Sequence, residues 1–489
     1  ITYSLWLRDK LLNEHADIDL TKGISYVLTP QRILQEQYTN SFKQYPQTGL
    51  ASLYGKANYT CVDKSTDCEL GSLVKPTCQS CPAKKALIAA KTATNTVMNY
   101  KLALIHFACN NVFAKRPLIV MDECHNLEQL LIDFDALVIS EYRCKKYDIE
   151  FKQFNTIIAA IQWIGQTYYP KIVNMLEQCE EIIDAKGHNL STADINKLRE
   201  YKGLVEHVDL IESIFKNKMG DVERNFVLVK DEKSFSLKRL YASYSFNRII
   251  IPYAMKYLYM SSTILNKAGF CRDLGIPVDN AAFLSLDSEF PVNNRPIYFN
   301  PIMRMNAQWE TPENETNRIK LLSHLRKVLR QHGNESGIIH TSNYKLSKWL
   351  IQQLPNTIPH SIFHHLPESG EDRNSVINQF LNSTTPSILI SPSITEGLDL
   401  KDDLSRFAIF VKVPYGNLGD QWIKRRMELQ PEWYQRKALI NIIQGGGRVV
   451  RSENDYGSVY IFDQAFSFLK QQTHHMIPKW WLKSLKGSQ

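Results

Sequence analysis

The sequence predicts an α/β protein built on two parallel-sheet domains, and three observations carry that expectation. Short β-branched apolar runs alternate with helical periodicity in both the early and the late parts of the 489 residues. One such run, "PLIVMDE" at 117–123, ends in two acids, at the carboxyl end of a strand where parallel sheets hold their ligands. Residues 127–236 differ, carrying helical periodicity with almost no strand signal, and read as a helical insertion into the first domain.

The elements follow in order. Residues 1–14 read as a helix, and "ISYVLTP" at 24–30 as a buried strand ended by proline, with a helix from Gln31. "PAKKALIAAKTATNTVMNYKLAL" turns from helical to strand-like before the strand at 117–123. Strand character returns in "YLYMSSTIL" at 257–265, and the Pro/Asn-rich "FPVNNRPIYFNPIM" reads as a linker. A second alternating region then gives a helix at 313–331, a strand at 337–342 and a helix over "YKLSKWLIQQL". Strands at 387–393, over "FAIFVKVP" and at 458–463 complete it.

Composition narrows the partners. With 44% hydrophobic and 22% charged residues the chain is of ordinary globular type, and no run of about 18 apolar residues predicts a membrane span. The net charge of +8 suits nucleic acid without requiring it. "ITYSLWLRDKLL" lacks the basic start and small-residue cleavage site of a secretory leader, so an intracellular, reducing location is expected: cytoplasm or nucleoid, or the nucleus of a eukaryote.

In such a compartment the nine cysteines are not expected to pair. Four of them, Cys61, Cys68, Cys78 and Cys81, fall within 21 residues and suit a tetrahedral zinc or a [4Fe–4S] cluster; spacing alone leans to zinc. Cys109, Cys124, Cys144, Cys179 and Cys271 are scattered and read as ordinary small residues. Lysines 56, 64, 75, 84 and 85 make the cysteine segment basic.

Two constellations point to phosphate chemistry. Asp122 at a strand end can hold Mg²⁺ through water while Glu123 orients an attacking water; a plain helix N-cap is the bland alternative. In "QGGGRVVRSENDYG", Gln444, Arg448 and Arg451 step by four and three, so that on a helix one amide and two guanidiniums share a face suited to a transferring phosphate. The bland alternative is a surface helix paired to Glu453 or Asp455, which the glycines argue against. Between them, "MSSTIL" with Ser261, Ser262 and Thr263, and "TEGLDL" with Thr395, Glu396, Gly397 and Asp399, offer short hydroxyls and acids after strands.

The order of these motifs, D-E-C-H, S-S-T, E-G-L-D and Q-x-x-x-R-x-x-R, resembles the XPD/DinG family of iron–sulfur DNA helicases in superfamily two. The resemblance extends over nearly the whole chain, from "VLTPQRILQEQ" and "LYGKANYTC" to "IPKWWLKSL". It implies two RecA-like motor domains. Domain 1 would comprise 1–55, 83–127 and 237–290, with an Fe-S domain at 56–82 and a helical arch at 128–236 inserted; domain 2 would be 291–489.

It further implies ATP and Mg²⁺, a structural [4Fe–4S] cluster on the four clustered cysteines, and a monomeric motor moving 5′ to 3′ on single-stranded DNA and opening forked duplex. His125 would link the nucleotide site to neighbouring strands; Ser262, Thr263, Gly397 and Asp399 would approach the nucleotide; Thr29, Gln31, Ser342 and Thr395 would hold the strand. Related activities on R-loops, G-quadruplexes or bound proteins are compatible with the same motifs, and protein partners are left open. One departure stands: residues 1–489 contain no G-x-x-x-x-G-K-[ST]. The helix and strand at the start resemble those that directly follow that loop, so a loop upstream of Ile1 is expected; the competing expectation is a non-hydrolysing nucleic-acid-binding scaffold.

Overall fold

A computed structural model describes residues 6, 10, 22–62, 67–69, 80–110, 112–186, 192–366, 372–392, 400 and 402–487. The helix expected over 1–14 lies outside these apart from Trp6 and Lys10. The chain folds as two compact units: Ile1–Ser262, Ala268–Ala281 and Gly419–Arg425 in unit 1, and Thr263–Lys267, Ala282–Leu418 and Arg426–Gln489 in unit 2.

Unit 1 contributes β1 (Ser25–Thr29), β2 (Leu50–Ser52), β3 (Asn95–Asn99), β4 (Arg116–Met121), β5 (Leu137–Ser140), β6 (Phe226–Asp231), β7 (Ser234–Arg239) and β8 (Ala254–Tyr259). Five of them form a parallel sheet in the order β2-β3-β1-β4-β8. Every residue of β1 and β4 is buried, as expected of strands covered on both faces, which is why they read as continuous apolar runs. Arg116 opens β4 from inside this core. Its guanidinium donates to Ser25 O, Thr96 Oγ1, Ala90 O and Lys91 O and lies 4.2 Å from the Tyr26 ring centroid. Gly23 makes room for it: φ is +87°, and a Cβ there would stand 2.2 Å from Ala93 O and 2.6 Å from Arg116 Cζ.

The region expected to be a purely helical insertion is not. Alongside the helices Tyr169–Lys186 and Thr192–Phe215 it holds an antiparallel sheet, β5-β7-β6, whose β6–β7 hairpin pairs Asp231 with Ser234. Phe235 and Leu237 alternate with Ser234 and Ser236, a period-2 pattern too short to stand out against the long helices beside it. Phe235 packs against Phe151, Phe154 and Trp163 at centroid distances of 6.1, 5.5 and 6.1 Å. A domain boundary at 236/237 would cut β7 in the middle, so the strand corrects it.

Unit 2 holds β9 (Ile297–Met303), β10 (Gly337–His340), β11 (Ser361–His364), β12 (Ser387–Ser391), β13 (Phe407–Phe410), β14 (Ser458–Asp463) and β15 (Leu485–Lys486). They form one parallel sheet in the order β11-β12-β10-β13-β14-β9-β15. The expected linker "FPVNNRPIYFNPIM" is therefore corrected, since its second half is β9. Its prolines masked the strand signal, and Pro301 is tolerated where the β9–β14 register shifts. Buried Asp463 ends β14 and accepts from the N–H groups of Val413, Met305 and Ala465, stitching three segments together. One part of the expected domain 2 differs as well. Residues Gly419–Arg425 pack in unit 1, where Trp422 Nε1 donates to Arg239 O at 2.7 Å and Lys230 N to Gln421 Oε1 at 3.1 Å.

Candidate functional site

In unit 1 the chemistry collects beyond the ends of β4 and β8. Asp122 N donates to Leu28 O at 2.9 Å, so the turn after β4 stays tied to β1. Both Asp122 oxygens are engaged: Oδ1 accepts Glu123 N–H at 3.0 Å and Oδ2 accepts the Tyr38 hydroxyl at 3.0 Å. The Tyr100 hydroxyl donates to the Asp122 carbonyl at 2.8 Å. Burial raises the Asp122 carboxyl above the ordinary aspartate value; the Tyr38 hydrogen bond opposes this and the charge of Glu123 adds to it. Burial also pushes the Tyr38 phenol well up, with Asp122 contributing.

Glu123 sits at φ 50°, a left-handed conformation that costs a non-glycine residue of order 1 kcal/mol and here swings its carboxylate toward β8. Its Oε2 lies 3.2 Å from His125 Nδ1 and 3.4 Å from the Ser261 Oγ that donates to it. His125 Nδ1 and Ser261 Oγ are 2.9 Å apart, and Cys124 N donates to Met260 O at 3.0 Å. Acid, imidazole and hydroxyl thus form one cluster, so that a water at the Glu123 carboxylate would be in contact with a chain leading to β8.

The expected hydroxyl pair divides. Ser262 is exposed, while Thr263 is fully buried and belongs to unit 2, where its Oγ1 accepts from Gln444 Nε2 at 2.8 Å. Gln444 lies in the last turn of the helix Pro431–Gly446. That helix ends at Gly446 with Gly447 as its cap, so Gln444, Arg448 and Arg451 do not share one helical face; this corrects the spacing expectation. The reason is local, because three successive glycines favour termination. Arg448 is buried and Arg451 is exposed, with its backbone N donating to Asp455 Oδ2. Asp455 is paired instead with buried Arg406. The glycines also have a packing reason: a Cβ on Gly445 would stand 2.8 Å from the Phe410 ring and 3.3 Å from His340 Nε2. His340 stacks on Phe410 at 4.6 Å, and its pKa is lowered to about 3 by burial and by the Arg448 charge.

Cys61, Cys68 and Cys81 come together in one buried cluster with Ala83, flanked by Tyr59. Cys68 N donates to Tyr59 O at 2.7 Å, and Thr60 bridges Asp67, closing the lobe. Cys81 precedes the helix Pro82–Thr92; burial pushes its thiol up, but the backbone N–H groups of Lys84 and Ala83, Cys68 and the Lys84 charge outweigh it, and the thiol falls below its ordinary value. Burial raises Cys68. Three converging thiols fit a soft metal centre in donor chemistry, although among the described residues no group of three or more His, Cys, Asp or Glu stands in metal-holding arrangement. Cys78, Thr395, Glu396, Gly397 and Asp399 lie outside the described residues.

Among the strand-holding candidates, Thr29 is fully buried and its hydroxyl donates to Gln31 O, so only Gln31 presents a partly exposed side chain there. Ser342 follows β10 at φ 62°, with Oγ donating to Lys412 O. One residue was missed in the sequence, Tyr38, whose helical position gave no signal; Ser261, the first serine of "SST", was read within its motif but not as the partner of Glu123 and His125 that the structure makes it.

Residues 325–484 match the helicase C-terminal domain family. An ATP-dependent DNA helicase DinG from Photobacterium profundum is 26% identical over 214 residues, 40% of this chain and 29% of that protein. A regulator of telomere elongation helicase 1 homolog from Caenorhabditis briggsae is 30% identical over 103 residues, 18% of this chain and 10% of its own length. The chain therefore matches well under half the length of these relatives. A solved XPD helicase aligns with 98% of this chain and 94% of its own at TM-score 0.59 and 15% identity, and an apo XPD structure with 93% and 91% at TM-score 0.54 and 16% identity; both share the fold. The two parallel-sheet units share the RecA-like fold of the solved XPD helicases, and the chain, with a helicase C-terminal domain over residues 325–484, is similar to helicases of the XPD/DinG type.

Proposed function

We propose that this protein hydrolyses ATP to move 5′ to 3′ along single-stranded DNA and to separate forked duplex. The observation that carries this reading is the Asp122–Glu123–His125–Ser261 cluster, with its carboxylate held from two sides and its glutamate in a left-handed turn. Asp122 would hold Mg²⁺ through water, and Glu123 would orient the water that attacks the terminal phosphate. Bound Mg²⁺ supplies charge neutralisation at the phosphates. His125 and Ser261 keep the Glu123 carboxylate in place. Gln444, Arg448 and Arg451 would stabilise charge developing on the transferring phosphate, and Ser262, Thr263, Gly397 and Asp399 would approach the nucleotide. Gln31, Ser342, Thr395 and the turn at Thr29 would hold the DNA strand largely through phosphate, making binding sequence-tolerant and salt-dependent.

Cys61, Cys68, Cys78 and Cys81 would carry a structural [4Fe–4S] cluster. Three of these thiols share one buried lobe, which supports the assignment. ATP turnover by the full-length protein, with and without single-stranded DNA, tests the reading. Stimulation by the strand is expected, whereas tight strand binding without turnover would favour the scaffold. Forked duplex, RNA–DNA hybrid, four-stranded DNA and protein-blocked strands compared in one unwinding assay separate the substrate classes.

A further inference from the structure

Tyr38 lies outside every motif that points to phosphate chemistry, on the helix Arg32–Phe42 that follows β1. Its ring packs beside Val27, Val97, Leu118 and Val120, the apolar cluster of the unit 1 sheet, which fixes the ring and delivers the hydroxyl to the strand ends. There it donates to Asp122 Oδ2 at 3.0 Å. Because the Glu123 N–H holds Oδ1 at 3.0 Å, the carboxylate is gripped by the main chain on one oxygen and by the phenol on the other, and cannot turn about its last bond without losing both. A carboxylate oxygen accepts at more than one site, so the phenol uses one lone pair of Oδ2 and leaves another available.

We propose that Tyr38 is a positioning residue for the metal-holding carboxylate: its hydroxyl sets which face of Asp122 is offered to the hydrated Mg²⁺. The inference rests on the reading of Asp122 as the group that holds Mg²⁺. A carboxylate that holds the ion through its water shell depends on the partners that orient it, and removal of such an outer partner costs roughly tenfold in metal affinity. A phenol that merely clamped the helix to β4 would affect stability and leave metal affinity alone.

The test is Tyr38→Phe in the full-length protein, with Mn²⁺ as the probe and electron paramagnetic resonance titration in the presence of ADP as the direct readout. The Mn²⁺ dissociation constant should rise roughly tenfold while single-strand binding stays unchanged. ATP turnover should recover toward the wild-type value at saturating Mg²⁺, which a misfolded variant would not do. Unchanged Mn²⁺ affinity in a variant derived from a wild type that binds Mn²⁺ overturns the inference alone. A wild type that binds no Mn²⁺ with nucleotide overturns the assignment of Asp122 and the inference with it.

Discussion

Replacing Asp135 by asparagine should cost unit 1 about 3 kcal/mol, and the surroundings of the carboxylate set that figure. Asp135 caps the helix Leu127–Phe134 that follows the D-E-C-H turn, and its side chain is 1% exposed. Oδ2 accepts from Arg239 Nε at 2.8 Å and from Ser245 Oγ at 2.7 Å, and Oδ1 from Arg248 Nη2 at 2.8 Å. Arg239 is 6% exposed, so neutralising its partner strands a buried cation, a change that costs about 3–5 kcal/mol. The Tyr244 ring at 3.7 Å and the Phe226 ring at 4.5 Å from the guanidinium return about 1 kcal/mol, which places the expectation near the lower limit. Arg248, at 40% exposure, is screened by water, and Arg248→Ala should cost about 1 kcal/mol or less. Urea unfolding at pH 7.5 and thermal melts measure both, and the asparagine variant should melt about 6 °C lower. Equal losses in the two variants, or a loss below about 1 kcal/mol for Asp135→Asn, would refute the weight given to burial.

Three further outcomes are expected. His207 is buried, its Nδ1 accepts from Arg143 at 2.6 Å and its Nε2 therefore donates to the Tyr168 oxygen at 2.9 Å, while burial and then the Arg143 charge lower its pKa to about 3. Below the unfolded value near 6.5 the unfolded chain takes up a proton that the folded chain refuses, so stability falls toward acid by roughly 1.4 kcal/mol per pH unit down to about pH 3; His207→Gln should flatten that slope in urea titrations between pH 7 and 5. Gly445→Ala should destabilise unit 2 by about 1–3 kcal/mol, read by chemical denaturation, since its methyl would press on the Phe410 ring at 2.8 Å. Cys78→Ser should abolish the brown colour and iron content of anaerobically purified protein, whereas a colourless zinc-containing wild type would end the iron–sulfur assignment.

What was legible beforehand follows from where the physical signal is local. The central strands β1, β4, β12 and β14 stood out because parallel strands buried on both faces are apolar throughout. Their neighbours β2, β9 and β11 did not, because they are short, half-buried or broken by proline. The D-E-C-H turn was readable as a run of residues, but the left-handed φ of Glu123 and its link to Ser261 depend on how close β8 lies to β4, which no local pattern encodes. Tyr38 contacts Asp122 across 84 positions of chain. The spacing of Gln444, Arg448 and Arg451 suggested a helical face, and the glycines that end the helix instead fit against Phe410 and His340.

ATP turnover by Glu123→Gln beside wild type, with and without single-stranded DNA, tests the central claim most directly. The substitution keeps shape and removes the carboxylate that would orient the attacking water. Strand-stimulated turnover should fall by about 10²-fold or more with strand binding within roughly twofold of wild type. Turnover that survives the substitution, or a wild type whose turnover ignores the strand, would contradict the account.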